Sequence, residues 1–277
     1  GSMEFKTNEA WTKRLQVGNA NRNGVLAVEL ASQGFTGPLT VFEGKHGFFH
    51  SYCGEGFYDL TDWLSDLGSD WEINYIQFKP FGCAGVLHSA VTAAKKLVDE
   101  NQISPEKIKE LTVYTSSKIL EEYASPVEKK IKPGNMVGAQ FSLQYCVAAM
   151  IVKGQLLVEE FWENSLSDPV ILDLAARIKV EADPQIDLNW PVDDVTIIKC
   201  RTKDGSRYSA RTGYARGDLL DPVLENELID KFLTLTGLVF PRKQCEEIME
   251  LCLKIEEVPD INLLIEKCLQ NENDCTS

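Results

Sequence analysis

The sequence predicts an α+β protein in which an all-helical domain is split along the chain by an inserted α/β domain. Helical spacing of apolar residues dominates both ends of the 277 residues, whereas β-forming runs concentrate in the middle. Asp204-Gly205 joins two such runs, and this dipeptide is the strongest short-range signal for a hairpin. We place the helical domain at 1–74, the inserted domain at 75–217 and the return to the helical domain at 218–277.

The individual elements follow from local patterns. Small residues at helical spacing predict a helix within 18–34, and residues 71–78 predict a strand or an extended entry into the loop KPFGCAG. Further helices and strands are expected in this order: a helix through Ala90–Val98, a strand at 110–116, a buried helix at 141–154, a helix from Asp168-Pro169, a hairpin within 193–215, a helix from Asp221-Pro222 to Gly237, and helices at 241–257 and 261–270.

Composition excludes several classes of protein. There are 28 basic and 42 acidic residues, and the formal net charge of −14 opposes binding to nucleic acid or to an anionic membrane. An anionic substrate would need a local cluster of Lys or Arg. No apolar run is long enough to span a membrane. None of the eight cysteines forms a CxxC pair, so we expect reduced thiols and a cytoplasmic protein.

Familiar catalytic motifs are absent: the sequence contains no P-loop, no GxSxG elbow, no HExxH and no dinucleotide fingerprint. His46 and His50 are spaced as a metal pair would be on a helix, but the segment is rich in glycine and offers no third ligand. A structural or surface role is therefore favoured for both. Cys83 with His88 could form a nucleophile pair, but a buried thiol and a histidine at a helix entry are the favoured interpretation.

Five segments in order resemble the MmgE/PrpD family. They are KRLQVGNANRNGVLAVELASQGFTGPLTVFEGKHGFF (13–49), FKPFGCAGVLHSAVTAA (78–94), GAQFSLQYCVAAMIVKG (138–154), ILDLAARIKVEADP (171–184) and TKDGSRYSARTGYARGDLLDP (202–222). The second resembles a lysine–proline–aromatic loop with a histidine nine residues after the lysine. Each segment is moderately specific by itself, but five in the same order identify the family over residues 11–235.

The resemblance implies a split helical domain with an inserted α/β lid, an active site in the cleft between them, and a homodimer that needs no metal or organic cofactor. Family members act on small di- and tricarboxylates. Their chains are considerably longer, and this sequence begins where their N-terminal helical half would already be finished. The chain is thus expected to be a fragment, a split-gene product that pairs with a separate N-terminal half, or a shortened paralogue.

The resemblance also assigns candidate site residues. Lys13 and Lys79 match family lysines, and a lysine can bind a carboxylate or, when buried, act as a base. His88 matches the histidine at the helix entry, with a structural hydrogen-bonded histidine as the alternative. Ser142 and Tyr145 match polar positions of a family helix and are candidates for substrate binding, although packing with satisfied hydroxyl groups is the simpler interpretation.

These expectations lead to two hypotheses of different kinds. The first is a hydro-lyase that dehydrates a hydroxy-tricarboxylate such as 2-methylcitrate by proton abstraction next to a carboxylate, with an epimerase as a close variant. Ala84 stands where the decarboxylase branch has a histidine, five residues after the loop lysine, and this disfavours decarboxylation. The second is a non-catalytic or incomplete subunit whose stripe of small residues at 20–31 lacks its helical neighbour.

Overall fold

A computed structural model describes residues 2–62, 64–191 and 194–269. The chain divides into two compact units, residues 1–76 and 77–277, and each is described by itself. Helices predominate and are combined with a small four-stranded mixed sheet, so the predicted α+β class is confirmed. The three-part division at 74/75 and 217/218 stays a prediction.

The N-terminal unit is helical. Its helices are α1 (Phe5–Asn8), α2 (Thr12–Ser32) and α3 (Phe48–Cys53). The predicted helix at the small-residue stripe is α2, which buries none of its residues. Residues 72–75 form a 3₁₀ turn rather than the strand considered for this segment. The turn is closed by a main-chain hydrogen bond from Asn74 to the carbonyl of Trp71 at 2.9 Å, and the hydroxyl of Tyr75 donates to the carboxylate of Asp70 at 3.1 Å.

The second unit contains the sheet and the remaining helices. In chain order these elements are α4 (His88–Asn101), β1 (Ile108–Thr115), α5 (Ser117–Tyr123), α6 (Val127–Ile131), α7 (Met136–Gln140), α8 (Leu143–Lys153), α9 (Glu163–Leu166), α10 (Pro169–Ala176), β2 (Ile178–Ala182), α11 (Pro184–Asp187), β3 (Thr196–Thr202), β4 (Arg207–Thr212), α12 (Glu225–Thr236), α13 (Arg242–Leu253) and α14 (Asn262–Lys267). The final helix was predicted to reach residue 270, which lies outside the described residues.

Most predicted elements occur where expected, but α12 begins later than Asp221. The reason is that Asp221 is already bound elsewhere. Its main-chain carbonyl accepts a hydrogen bond from Gly217 at 2.8 Å, and its carboxylate lies 2.6 Å from the guanidinium of Arg216. The helix starts at Glu225, where the carboxylate of Glu227 accepts a hydrogen bond from the main-chain nitrogen of Leu224.

The strand order in the sheet is β2-β1-β3-β4. Strand β1 runs parallel to β2 and antiparallel to β3, and β3 and β4 form the predicted hairpin. The turn of the hairpin uses Asp204, whose carboxylate accepts a hydrogen bond from the main-chain nitrogen of Ser206, and Gly205, whose φ of 91° favours glycine.

The core of this unit lies between one face of the sheet and the helices. Alternate residues of the strands are buried there, including Leu111 and Val113 of β1 and Ile198 of β3. Helix α4 packs on β3 and β4, and α8 packs against α4 and α10. This arrangement places the N-terminus of α4 beside the entry to β3.

A tightly bound loop, residues 77–87, leads into α4. Main-chain hydrogen bonds join Phe78 to the carbonyl of Gly217 at 3.0 Å, Gly82 to that of Leu156 at 2.8 Å, and Ala84 to that of Gln140 at 2.9 Å. A Cβ atom at Gly217 would lie 1.9 Å from the carbonyl oxygen of Phe78, so only glycine permits this approach. The loop is therefore anchored to three separate parts of the second unit.

The part of the chain that the structure describes has no helix with both the length and the apolar character that crossing a membrane requires. All seven of its cysteines are free thiols, and Cys275 lies outside the described residues.

Candidate active site

A cavity of about 430 Å³ lies in the second unit, where the 77–87 loop, the start of α4, the entry to β3 and the segment after β4 meet. The residues that matter for its chemistry are Lys79, His88, Trp190, Asp194, Arg216 and Asp218. A volume of this size accommodates a small organic molecule. Its lining combines cationic groups with groups that can exchange protons.

His88 is the first residue of α4 and is almost fully buried. The edge of its ring meets the ring of Phe81 at 5.2 Å between centroids, which fixes the orientation of the imidazole. Among the residues that the structure describes, the Nε2 atom has no hydrogen-bond partner. A buried polar atom without a partner is costly, so this nitrogen is suited to bind a group that enters the cavity.

Asp194 lies directly before β3 and lines the same cavity. Burial raises the pKa of this carboxyl to about 6, although a hydrogen bond from Ser89 and the charge of His88 oppose the rise and Asp218 adds to it. Its Oδ1 atom is buried and has no hydrogen-bond partner within residues 2–62, 64–191 and 194–269. A carboxyl group with a pKa near neutrality can both accept and donate a proton.

Lys79 lies near the start of the 77–87 loop, and its ammonium group lies over Gly85. A Cβ atom at Gly85 would be 3.4 Å from Cε of Lys79 and 3.6 Å from its Nζ, so the glycine leaves room for the lysine side chain. Within the described residues no carboxylate lies within 4 Å of this ammonium. Its charge is therefore available to an anion in the cavity.

Arg216 differs from Lys79 because its charge is already neutralised. Its guanidinium contacts the carboxylates of Asp221 and Glu227, which raise the pKa of Arg216. Its main-chain nitrogen donates to the hydroxyl of Thr92 at 3.2 Å, and that hydroxyl donates to the carbonyl of His88 at 2.7 Å. Arg216 thus connects the wall of the cavity to the first turn of α4.

Cys83 is a buried thiol of the loop beside the candidate proton-transfer groups. Burial opposes its ionisation, but hydrogen bonds with Cys146 and His88 and the charges of His88 and Lys79 outweigh burial and lower the pKa of Cys83 to about 6. The sequence suggested Cys83 and His88 as a pair, and the structure brings them into contact.

The structure brings Lys79 and His88 together at the cavity, but it places Ser142 and Tyr145 in the core. The hydroxyl of Ser142 donates to the carbonyl of Lys130 and accepts from the main-chain nitrogen of Tyr145, so it caps α8. The hydroxyl of Tyr145 donates to the carbonyl of Glu160 at 2.7 Å. Neither lines this cavity, and their roles in substrate binding stay predictions.

The other predicted residues lie in the N-terminal unit. Lys13 is an exposed residue in the first turn of α2, and its role in catalysis stays a prediction. Across residues 2–62, 64–191 and 194–269, no group of three or more His, Cys, Asp or Glu side chains is arranged to hold a metal ion. This includes the segment around His46 and His50.

The sequence alone does not single out Asp194 or Arg216 as residues of the site. The adjacent acids Asp193 and Asp194 before a β-forming run were visible, but the sequence does not tell which of them is buried, and Asp193 lies outside the described residues. Arg216 falls within the family-like segment 202–222, where its neighbours Asp221 and Glu227 could have suggested an ion-pair network.

Comparison with known proteins accounts for the architecture. Residues 81–255 match the MmgE/PrpD C-terminal domain, and residues 1–60 match the MmgE/PrpD N-terminal domain. The chain therefore belongs to the MmgE/PrpD family, as its sequence segments indicated. The two matches fall on either side of the division between the compact units at 76/77.

Its curated relatives include cis-aconitate decarboxylases. The protein of that name from Aspergillus terreus is 26% identical over 266 residues, which cover 92% of this chain and 54% of the relative. Those from Mus musculus and Homo sapiens are each 24% identical, over 91% of this chain and 51% and 52% of their own lengths. The chain spans about half the length of these relatives, and the family to which it belongs includes lyase-type proteins.

Proposed function

We propose that this chain carries the proton-transfer half of a lyase site and removes water from a small hydroxy-tricarboxylate such as 2-methylcitrate. One observation carries the proposal: Lys79, His88 and Asp194 line a single cavity, and both His88 and Asp194 present a buried polar atom that has no partner in the described part of the chain. This combination supplies the charge for a carboxylate and two groups able to exchange protons.

The chemistry needs one base, one acid and one cation. The base removes a proton from the carbon next to a carboxylate, and the electron pair of that C–H bond forms the new carbon–carbon double bond. The bond to the hydroxyl group breaks, and the acid protonates this group so that it leaves as water. Lys79 binds the carboxylate whose charge increases in the transition state. His88 and Asp194 share the acid and base roles.

The family membership supports a second reaction, decarboxylation, because the curated relatives named above are decarboxylases. In that reaction the bond from carbon to a carboxylate breaks, carbon dioxide leaves, and the remaining carbon takes a proton from the acid. Ala84 argues for dehydration instead. This residue is buried and places no ionisable group at the loop position where the decarboxylase branch has a histidine.

An incomplete subunit is favoured by a different observation. Helix α2 buries no residue, and several of its large apolar side chains are exposed, among them Leu15, Val25 and Val28. If a separate N-terminal half or a second copy covers them, the chain alone should bind a dye that reports exposed apolar surface. A homodimer and a separate half both remain proposals on this basis.

The experiment incubates the purified chain with 2-methylcitrate, citrate and cis-aconitate and follows the absorbance of the unsaturated acid. Carbon dioxide release and proton exchange in heavy water are measured in parallel. Lys79→Ala is compared with Lys95→Ala, an exposed lysine of α4 paired with Asp99. We expect alkene formation that Lys79→Ala abolishes and Lys95→Ala retains.

The other outcomes identify the alternatives. Release of carbon dioxide from cis-aconitate would favour decarboxylation, whereas inversion with solvent exchange and no alkene would favour an epimerase. A folded chain that turns over none of these acids and binds the dye would refute activity of the chain alone and favour the incomplete subunit.

A further inference from the structure

Helix α12 borders the candidate site through two residues that lie one turn apart. The ammonium of Lys231 donates a hydrogen bond to the main-chain carbonyl of Lys79, and the carboxylate of Glu227 binds the guanidinium of Arg216. Lys79 and Arg216 both line the cavity. Since residues at positions i and i+4 share a helix face, one face of α12 contacts two residues that line the cavity, although Lys231 and Glu227 are not themselves part of the lining.

The positive charges of Lys231 and Lys79 lie in the same region, because the ammonium of Lys231 binds the main-chain carbonyl of Lys79. Burial lowers the pKa of Lys231, and the charge of Lys79 lowers it further. Neither ammonium has a carboxylate within 4 Å among the residues that the structure describes. Arg216 of the same region, by contrast, has two acidic partners. The pair of lysines is therefore a local excess of positive charge in a chain of net charge −14.

We propose that Lys231 is a second binding residue of the site and that its ammonium and that of Lys79 together hold one carboxylate group of the substrate. The inference rests on the proposed function in one respect, namely that the ligand is a polycarboxylate. An ammonium group carries three donor hydrogens, so Lys231 can bind the carbonyl of Lys79 and still donate to an anion. A carboxylate between the two lysines removes their mutual repulsion and gains two charge-assisted hydrogen bonds.

The assignment explains why a lysine from a distant part of the chain meets the loop. The two residues are 152 positions apart, and the contact joins the 77–87 loop to α12. The hydrogen bond to the carbonyl fixes the start of the loop, and the charge adds affinity for an anion. A neutral hydrogen-bond donor could fix the start of the loop but could not attract an anion. A variant that keeps the donor and removes the charge therefore separates the two effects.

The test measures binding of tricarballylate, a tricarboxylate that has no hydroxyl group and cannot be dehydrated, and of the dicarboxylate glutarate, by calorimetry at two salt concentrations. Lys231→Met and Lys231→Gln are compared with Lys243→Met, which removes the same charge from an exposed position of α13. The glutamine variant keeps an N–H donor but carries no charge. Unfolding by urea checks that each variant is folded.

We expect both Lys231 variants to weaken tricarballylate binding about tenfold, the usual loss for one charge-assisted contact, and to reduce its salt dependence. Glutarate should lose affinity by a similar factor, because it also has a carboxylate to place between the two lysines, and Lys243→Met should change neither ligand's affinity. Wild-type affinity in Lys231→Gln would overturn the inference, since Lys231 would then only position the loop.

The experiments distinguish a failure of the proposed reaction from a failure of the binding role of Lys231. A chain that binds tricarballylate through Lys231 but converts none of the acids would support this binding residue and refute the proposed reaction. A chain that dehydrates its substrate with unchanged KM in Lys231→Met would refute the binding residue and leave the reaction intact. No binding of tricarballylate by the wild-type chain at millimolar concentrations would overturn the inference, and the turnover assay would then decide the reaction independently.

Discussion

Asp194→Asn should make the protein more stable at alkaline pH while it removes the proposed proton-transfer group. Asp194 is largely buried, and none of the described residues provides a hydrogen-bond partner for its Oδ1 atom. In the folded state its ionised form is therefore less favourable than in the unfolded chain, where water solvates the carboxylate. Asparagine has nearly the same shape and carries no charge at any pH.

The magnitude follows from the two pKa values. The pKa of Asp194 rises from 3.8 to about 6, and one pKa unit corresponds to about 1.4 kcal/mol. The ionised carboxylate therefore lowers the free energy of unfolding by about 3 kcal/mol. The pKa is higher in the folded state, so the folded protein is at its most stable below pH 3.8, where Asp194 is protonated in both states. The free energy of unfolding then falls as the pH rises from 3.8 through 6. About half of the change, roughly 1.4 kcal/mol, falls between pH 5 and pH 8.

The assay is urea unfolding of the wild type and of Asp194→Asn at pH 5 and at pH 8. The difference in the free energy of unfolding should favour the variant more strongly at pH 8. Asp168→Asn is a control of opposite sign. Lys153, 2.7 Å away, lowers the pKa of Asp168, and so does the main-chain hydrogen bond from Val170. Asp168 therefore stabilises the fold above pH 3.8, and its loss should destabilise the protein at both pH values.

A difference between wild type and Asp194→Asn that does not change from pH 5 to pH 8 would refute the reasoning, because the carboxyl would then titrate alike in the folded and unfolded states. A variant that is more stable at pH 8 and inactive would show that the fold accepts a cost in stability for this group. A variant that is more stable and fully active would refute the role of Asp194 in the reaction.

Three further predictions concern other parts of the second unit. Gly217→Ala should cost at least about 2 kcal/mol in urea unfolding, since it adds a steric clash to the strain of a positive φ, whereas Gly205→Ala, with open space around it, should cost only the strain; equal losses would contradict this. Tyr145→Phe should cost about 1 kcal/mol and leave ligand affinity unchanged, because its hydroxyl binds a core carbonyl; a weakened affinity would instead support its predicted substrate role. A pH titration of thiolate absorbance should show a transition below the ordinary cysteine range that Cys83→Ser removes, and its persistence in that variant would contradict the assignment.

Local signals in the sequence account for most of the fold. The hairpin at Asp204-Gly205 and the end of α8 at Gly154 each depend on backbone conformations that a few residues specify. The start of α12 was placed too early because Asp221-Pro222 has the composition of a helix start, while the carboxylate of Asp221 is bound to Arg216. A tertiary ion pair thus overrides a local preference.

The candidate site was predictable only where a motif occupies one continuous segment. Lys79 and His88 belong to one loop and the first turn of the following helix, so the family resemblance could locate them together. Ser142 stands before an apolar run, and a helix cap was available as an interpretation from that pattern alone. Its hydroxyl does cap α8.

Asp194 and Lys231 could not be found in this way, because their properties arise from distant contacts. The pKa of Asp194 depends on its burial next to α4, and the position of Lys231 depends on a carbonyl 152 residues away. Each is unfavourable to the fold by itself: Asp194 has a carboxyl oxygen that no described residue binds, and the ammonium of Lys231 is repelled by that of Lys79. A ligand with several carboxylates and an exchangeable proton removes both unfavourable features. One of its carboxylates neutralises the charges of the two lysines, and its exchangeable proton provides a hydrogen-bond partner for Asp194. That the two unfavourable arrangements adjoin one cavity is the physical reason for assigning them to the same substrate.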